Sequence, residues 1–133
     1  MRQAVLDASA LMTLLYNRPG TEKVAGLLDR ATEGKVELFM SVVNWGEAYY
    51  SVWRAEGKDA AERILIELAR LPIKIVMADL ELTKLAAELR VQYKLPYADC
   101  FAAALARQRG ATLATGDNDF RLVAKQVNIL WTN

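Results

Sequence analysis

Short apolar segments recur between amphipathic helical stretches, and this alternation constrains the chain more than any other feature. A strand–helix–strand order has few ways to bury its apolar faces. Residues 4–6, 36–40, 73–77, 112–115 and 128–131 read as strands, three to five residues long, apolar and often β-branched. Between them the spacing predicts helices over 9–16, 21–31, 42–55, 58–71, 80–93 and 97–109, with a last helix opened by Asp117. Pro19-Gly20, Gly34, Gly57, Pro72 and Gly110 punctuate the pattern, Ser41 is placed to cap a helix, and Pro96 stands at a favourable first-turn position. Strands this apolar are expected to be buried on both faces, which points to a parallel sheet covered by helices.

The 133 residues fit one domain, 1–133, with neither a repeat nor a Pro/Gly/Ser linker to divide it. A 53% hydrophobic and 25% charged composition suits a globular core. No apolar run approaches the roughly 20 residues needed to cross a bilayer, and 1–3 lead directly into a strand rather than a signal-peptide core. The expected location is therefore the cytoplasm, without membrane attachment. Cys100 is the single cysteine and histidine is absent. An internal disulfide, a Cys/His zinc site, a Ser-His-Asp site and imidazole acid–base chemistry are thereby excluded. Any metal must be held by oxygen.

A net charge of +1 argues against a uniformly basic nucleic-acid surface. The charge is uneven, since 1–83 carry 10 Lys/Arg and 12 Asp/Glu while 84–133 carry 7 and 4. That asymmetry permits a local phosphate-binding patch around Arg90, Lys94, Arg107, Arg109, Arg121 and Lys125, or equally scattered solvated charges.

Asp7 and Asp117 share one address: each follows a short apolar strand and precedes a helix. In an open parallel sheet, ligands gather outside the carboxyl ends of the strands where strand order reverses. Two acids there can meet, although each also suits a plain helix cap. Ser9 and Thr115 stand where hydroxyls could support these carboxylates. Glu47 falls on a helix whose apolar arc is expected to be Val42, Trp45, Tyr49, Val52 and Trp53, with Asn44, Glu47, Ser51 and Arg54 opposite on a solvated side. Gly46 beside it costs about 1 kcal/mol relative to Ala, which hints at a close approach to the backbone. Asp99 opens an Ala-rich helix, where the dipole favours an acid. Asp119 is a further candidate ligand or a solvated first-turn acid.

Taken in order, Val5-Leu6-Asp7-Ala8-Ser9-Ala10, Asn44-Trp45-Gly46-Glu47, Leu95-Pro96-Tyr97-Ala98-Asp99-Cys100-Phe101-Ala102-Ala103-Ala104 and Thr115-Gly116-Asp117-Asn118-Asp119-Phe120 resemble the four acidic motifs of the PIN domain. The likeness is strongest to the VapC toxins of toxin–antitoxin pairs and spans essentially the whole chain. It implies a three-layer α/β/α sandwich with a central parallel five-stranded sheet ordered 3-2-1-4-5 and about seven helices. It implies an endoribonuclease hydrolysing RNA phosphodiesters with Mg²⁺ or Mn²⁺. Asp7, Glu47, Asp99 and Asp117 match the catalytic and metal-binding acids, and Ser9 and Thr115 the hydroxyls beside them. Asp119 supports, or shares, the fourth role. A VapB-like antitoxin and a homodimer are the implied protein partners, with Trp45, Tyr49, Tyr50 and Trp53 serving either such a surface or the core. Trp45 and Gly46 depart from the aliphatic residue and Ala common there. Two other readings stay open: a PIN nuclease of RNA processing outside a toxin pair, and a metal-free RNA-binding or scaffold module whose acids are only caps and surface charges.

Overall fold

In the computed structural model, which describes residues 1–133, the five strands are β1 (Gln3–Leu6), β2 (Glu37–Ser41), β3 (Ile73–Val76), β4 (Thr112–Thr115) and β5 (Ile129–Trp131). They pair in parallel throughout, in the order β3-β2-β1-β4-β5. Six α-helices link them: α1 (Ala8–Leu15), α2 (Thr21–Thr32), α3 (Val42–Glu56), α4 (Lys58–Arg70), α5 (Leu80–Tyr93) and α6 (Tyr97–Arg109). A 3-10 helix (Asn118–Val123) joins β4 to β5 and brings the helices to the expected seven. No helix is long and apolar enough to cross a membrane.

Side-chain alternation along the strands divides the core in two. Val5, Phe39 and Leu113 point to one face, where they pack with α5, α6 and the 3-10 helix. Ala4, Leu6, Leu38, Met40 and Ala114 point to the other, against α1 to α4. The sheet order expected from the family resemblance is thus present, between two helical layers.

Helix α6 is enclosed along its length, with every residue from Asp99 to Ala106 buried. Its alanines at 102, 103, 104 and 106 let the backbone lie close against the sheet, α3 and α5, as a helix apolar all round must. Burial on both faces holds for β1 but fails at the sheet's margins, since β3 and β5 are only partly covered. They are the edge strands, and Lys74 is a charge suited to the outer edge of β3.

The last helix also differs from the expectation. Asp117 accepts from the amide of Asp119, two residues on, and the turns that follow are 3-10. Phe120 and Val123, three apart, consequently share one buried side, as three residues per turn require. Other helix limits match within two residues.

Gly20 precedes α2 with φ +98°, and a Cβ there would lie 1.2 Å from the carbonyl oxygen of Thr132. The chain beyond β5 is tied in at the same place. The Thr132 amide donates to Thr115 O (2.9 Å), Lys23 Nζ to Trp131 O (3.0 Å) and Asn133 Nδ2 to Gly116 O (3.2 Å).

Candidate metal centre

Strand order reverses between β1 and β4, and the segments leaving these two neighbours carry Asp7 and Asp117. Asp7 follows β1 directly and caps α1, its Oδ1 accepting from the Ala10 amide at 2.9 Å. Capping does not remove this carboxylate from the neighbourhood of the other acids, since its charge acts on Asp99. Ser9 Oγ lies 2.8 and 2.9 Å from its two oxygens, and Thr115 Oγ1 donates to Oδ2 at 2.6 Å. Those hydroxyls in turn accept from the Gly116 amide (3.1 Å, to Ser9) and the Asp117 amide (3.0 Å, to Thr115). Two amide–hydroxyl–carboxylate chains therefore lash the end of β1 to the loop bearing Asp117. Ser9 and Thr115 both place their hydroxyls against the Asp7 carboxylate.

Asp7 is 2% exposed. Burial pushes its pKa up to about 6 against the pull of its hydrogen bonds, and the nearby Asp117 charge adds to the rise. Asp99, in the first turn of α6, is 7% exposed and lifted further, to about 8. Its causes are burial first, then the charges of Asp117, Glu47 and Asp7, with a hydrogen bond to the Asp117 side chain last. Glu47, half-buried on α3, is raised by burial, lowered by its bond from Asn44 and raised by Asp117. All four sequence-predicted acids, from four separate segments, therefore act electrostatically on one another.

The tightest group includes the fifth acid. Carboxylate oxygens of Asp99, Asp117 and Asp119 lie within 4.8 Å of one another. Burial grades across the group, from the enclosed Asp7 through the half-buried Asp117 to the exposed Asp119. Like charges this close repel by roughly 1 to 4 kcal/mol per pair between water and a partly shielded surface. A divalent cation relieves that repulsion. Donors that are all carboxylates, with no nitrogen or sulfur among them, fit a hard ion such as Mg²⁺ or Mn²⁺.

Three features of the surroundings depart from expectation. The buried line of α3 is Asn44, Ala48 and Val52 rather than the Val42-to-Trp53 arc. Trp45 and Tyr49 are partly buried against the α1–α4 core, while Trp53 is 43% exposed. Asn44 was grouped with polar neighbours by residue type, yet it is wholly enclosed. The signal was its i, i+4, i+8 spacing with two apolar residues.

Gly46 faces open space, with nothing within 4 Å of an added Cβ, so no close approach explains it. Gly46→Ala is expected to stabilise the fold by about 0.5–1 kcal/mol through helix propensity. A higher urea midpoint at unchanged slope would report it; a lower midpoint would refute it.

The cations do not form one patch beside the acids. Arg109 closes α6 and stacks 4.0 Å over the Phe39 ring, in a depression with Arg2 and Lys35 at the amino ends of β1 and β2. Arg107 and Lys125 line a second hollow before β4 and β5. Both lie at the end of the sheet opposite Asp7. Arg121 follows Asp117 in the 3-10 helix, its Nε donating to Asn118 O at 3.0 Å, and Arg90 and Lys94 close α5 just ahead of the start of α6 that carries Asp99.

No curated protein matches the chain in sequence. Solved structures do resemble it. A toxin–antitoxin complex from Klebsiella pneumoniae is 17% identical, with a TM-score of 0.74 and 98% of each chain covered. VapBC2 from Rickettsia felis, bound to a DNA fragment from their promoter, is 17% identical with a TM-score of 0.77, covering 96% of this chain and 97% of that one. Mycobacterium tuberculosis VapC20, described as a sarcin-ricin loop cleaving toxin, is 20% identical with a TM-score of 0.68, covering 93% and 96%. At such identities these likenesses establish the fold. The family model for the PIN domain matches residues 4–126.

Proposed function

This chain belongs to the PIN-domain family, and from that premise we propose that it is a Mg²⁺- or Mn²⁺-dependent endoribonuclease, the toxin of a VapBC-type pair acting in the cytoplasm. The observation that carries the reading is the convergence of Asp7, Glu47, Asp99, Asp117 and Asp119, two of them with proton affinities raised far above the carboxylate norm, where strand order reverses.

Asp99, Asp117 and Asp119 would hold the ion, with Asp7 behind them fixing the negative floor. A bound divalent ion supplies Lewis-acid stabilisation of the charge that develops on the phosphate. Glu47, whose raised pKa favours proton uptake, orients the attacking water and receives its proton. Ser9 and Thr115 hold the Asp7 carboxylate so that it does not turn toward an incoming phosphate. The toxin assignment draws on the similar structures, among them a toxin–antitoxin complex and a sarcin-ricin loop cleaving toxin. A VapB-like antitoxin and pairing as a homodimer belong to the same reading.

The test incubates the purified chain with labelled total RNA in Mg²⁺, in Mn²⁺ and in EDTA. Cleavage is expected with either ion, absent in EDTA, and absent in an Asp7→Asn protein that retains its circular dichroism. RNA left intact at every ion concentration would overturn the nuclease reading and favour a scaffold role.

A further inference from the structure

We propose that Asn44 is a positioning residue of this centre: one buried amide that ties the Glu47 carboxylate to the start of α6, beside Asp99. The inference rests on the metal-nuclease reading above and adds to it a residue outside the acidic set.

Asn44 is fully enclosed, and its Nδ2 group spends both hydrogens on the site's framework. One goes to Glu47 Oε1 at 3.1 Å, across one turn of α3. The other goes to the carbonyl of Ala98 at 3.1 Å, the residue before Asp99. The segments carrying the second and third acids are thus joined through a single planar group. Two donors diverging from one nitrogen demand an amide, and the reverse orientation would set its oxygen against two other oxygens.

The arrangement is a poor one for stability alone. Asn44 Oδ1 is buried without any partner, a cost that an apolar side chain of similar volume would not carry. Ala98 also lies within α6, so its carbonyl is of a kind the helix itself can use. What the amide secures is Glu47. That side chain has three rotatable bonds, and the bond from Asn44 is its only hydrogen bond. Oε1 is held and Oε2 is left as the free acceptor. A neutral donor also fixes the carboxylate without bringing a cation that would compete for it, which a Lys or Arg at this position would do.

The test is a double-variant cycle in the full chain, using Asn44→Leu and Glu47→Gln. Asn44→Leu is expected to lower kcat by about 10- to 100-fold with little change in KM, while its melting temperature stays at or above that of the wild type. Added to Glu47→Gln it should cost less than about twofold more, because its effect passes through Glu47. If Leu does not fold, Asn44→Ala enters the same cycle. Losses that multiply in the double variant, or full activity of the single one, would overturn the proposal.

A second readout needs neither metal nor turnover. In the metal-free protein the Asn44 side-chain NH₂ should be slow to exchange in ¹H–¹⁵N spectra, and Glu47→Ala should shift it and release one of its protons. An amide that exchanges freely, or ignores Glu47→Ala, would refute the contact. Were the wild type to leave RNA intact while this signature held, the nuclease reading alone would fall. Cleavage with independent, multiplying losses would sink only the role of Asn44.

Discussion

Asp99→Asn is expected to reduce RNA cleavage at least about 100-fold and, in metal-free protein at pH 8, to raise the melting temperature. Both effects follow from one cause. Asp99 is buried among Asp117, Glu47 and Asp7, and its pKa stands at about 8 in the folded chain. In the unfolded chain an Asp ionises near 3.9. Between those two values the native state binds a proton that the unfolded state does not, so stability falls as pH rises. The full contribution is present below about pH 4 and is lost progressively toward pH 8. Asp7, with a pKa of about 6, has the same sign over a narrower window.

Asparagine keeps the shape and removes the charge, so the variant loses most of that slope. In EDTA the difference between variant and wild type should be small at pH 5 and reach a few kcal/mol at pH 8, given about 1.4 kcal/mol per pKa unit. Adding Mg²⁺ at pH 8 should stabilise the wild type far more than the variant, because binding to the folded state alone adds to stability. Calorimetry at the two pH values, with and without the ion, measures all three effects. A wild type more stable than Asp99→Asn in EDTA at pH 8 would contradict the account.

The other large effect lies away from the acids. Gly20→Ala should cost about 3 kcal/mol or more, combining a left-handed backbone with displacement of a main-chain carbonyl. The added methyl would stand 1.2 Å from Thr132 O, and backbone cannot yield as a flexible side chain can. Moving Thr132 disturbs its bond to Thr115, which also steadies Asp7 and the Asp117 amide. Divalent-ion affinity should therefore fall together with stability. Gly34→Ala is the control, since its φ is +78° but nothing lies within 4 Å of the new atom. It should cost only about 1–2 kcal/mol. Urea midpoints that drop equally for both variants would show that the carbonyl contact is unimportant.

The strands were legible because their signal is local, whereas their order in the sheet came from the family resemblance. Apolar strands between periodic helices name the elements, and the acids after β1 and β4 mark where a parallel sheet admits a ligand. Joining Glu47 and Asp99 to that pair took the resemblance to a family, since neither position is distinctive by itself. What stayed hidden depends on contacts between distant segments. Asn44 was grouped by polarity, and only the approach of α6 makes it interior. Gly46 suggested crowding, yet its neighbourhood is open. Six cations in the later part of the chain left a patch and scattered charges equally open, and helix α6 carries Arg107 and Arg109 to the far end of the domain from its own Asp99. Asp119 was secondary in the motif, although it joins Asp99 and Asp117 in the closest carboxylate group.

The crowding of acids around Asp99 has a consequence for how such a chain changes over generations. An aspartate codon becomes an asparagine codon by a single base substitution, and at this position the exchange relieves repulsion instead of opening a cavity. If the intact molecule poisons the cell that makes it, harmless descendants arise in one step, and what their folding gives up is the bound ion's contribution rather than any packing. Lineages that keep the activity must then do so because something rewards them for it, as no collapse of the core stands in the way of losing it.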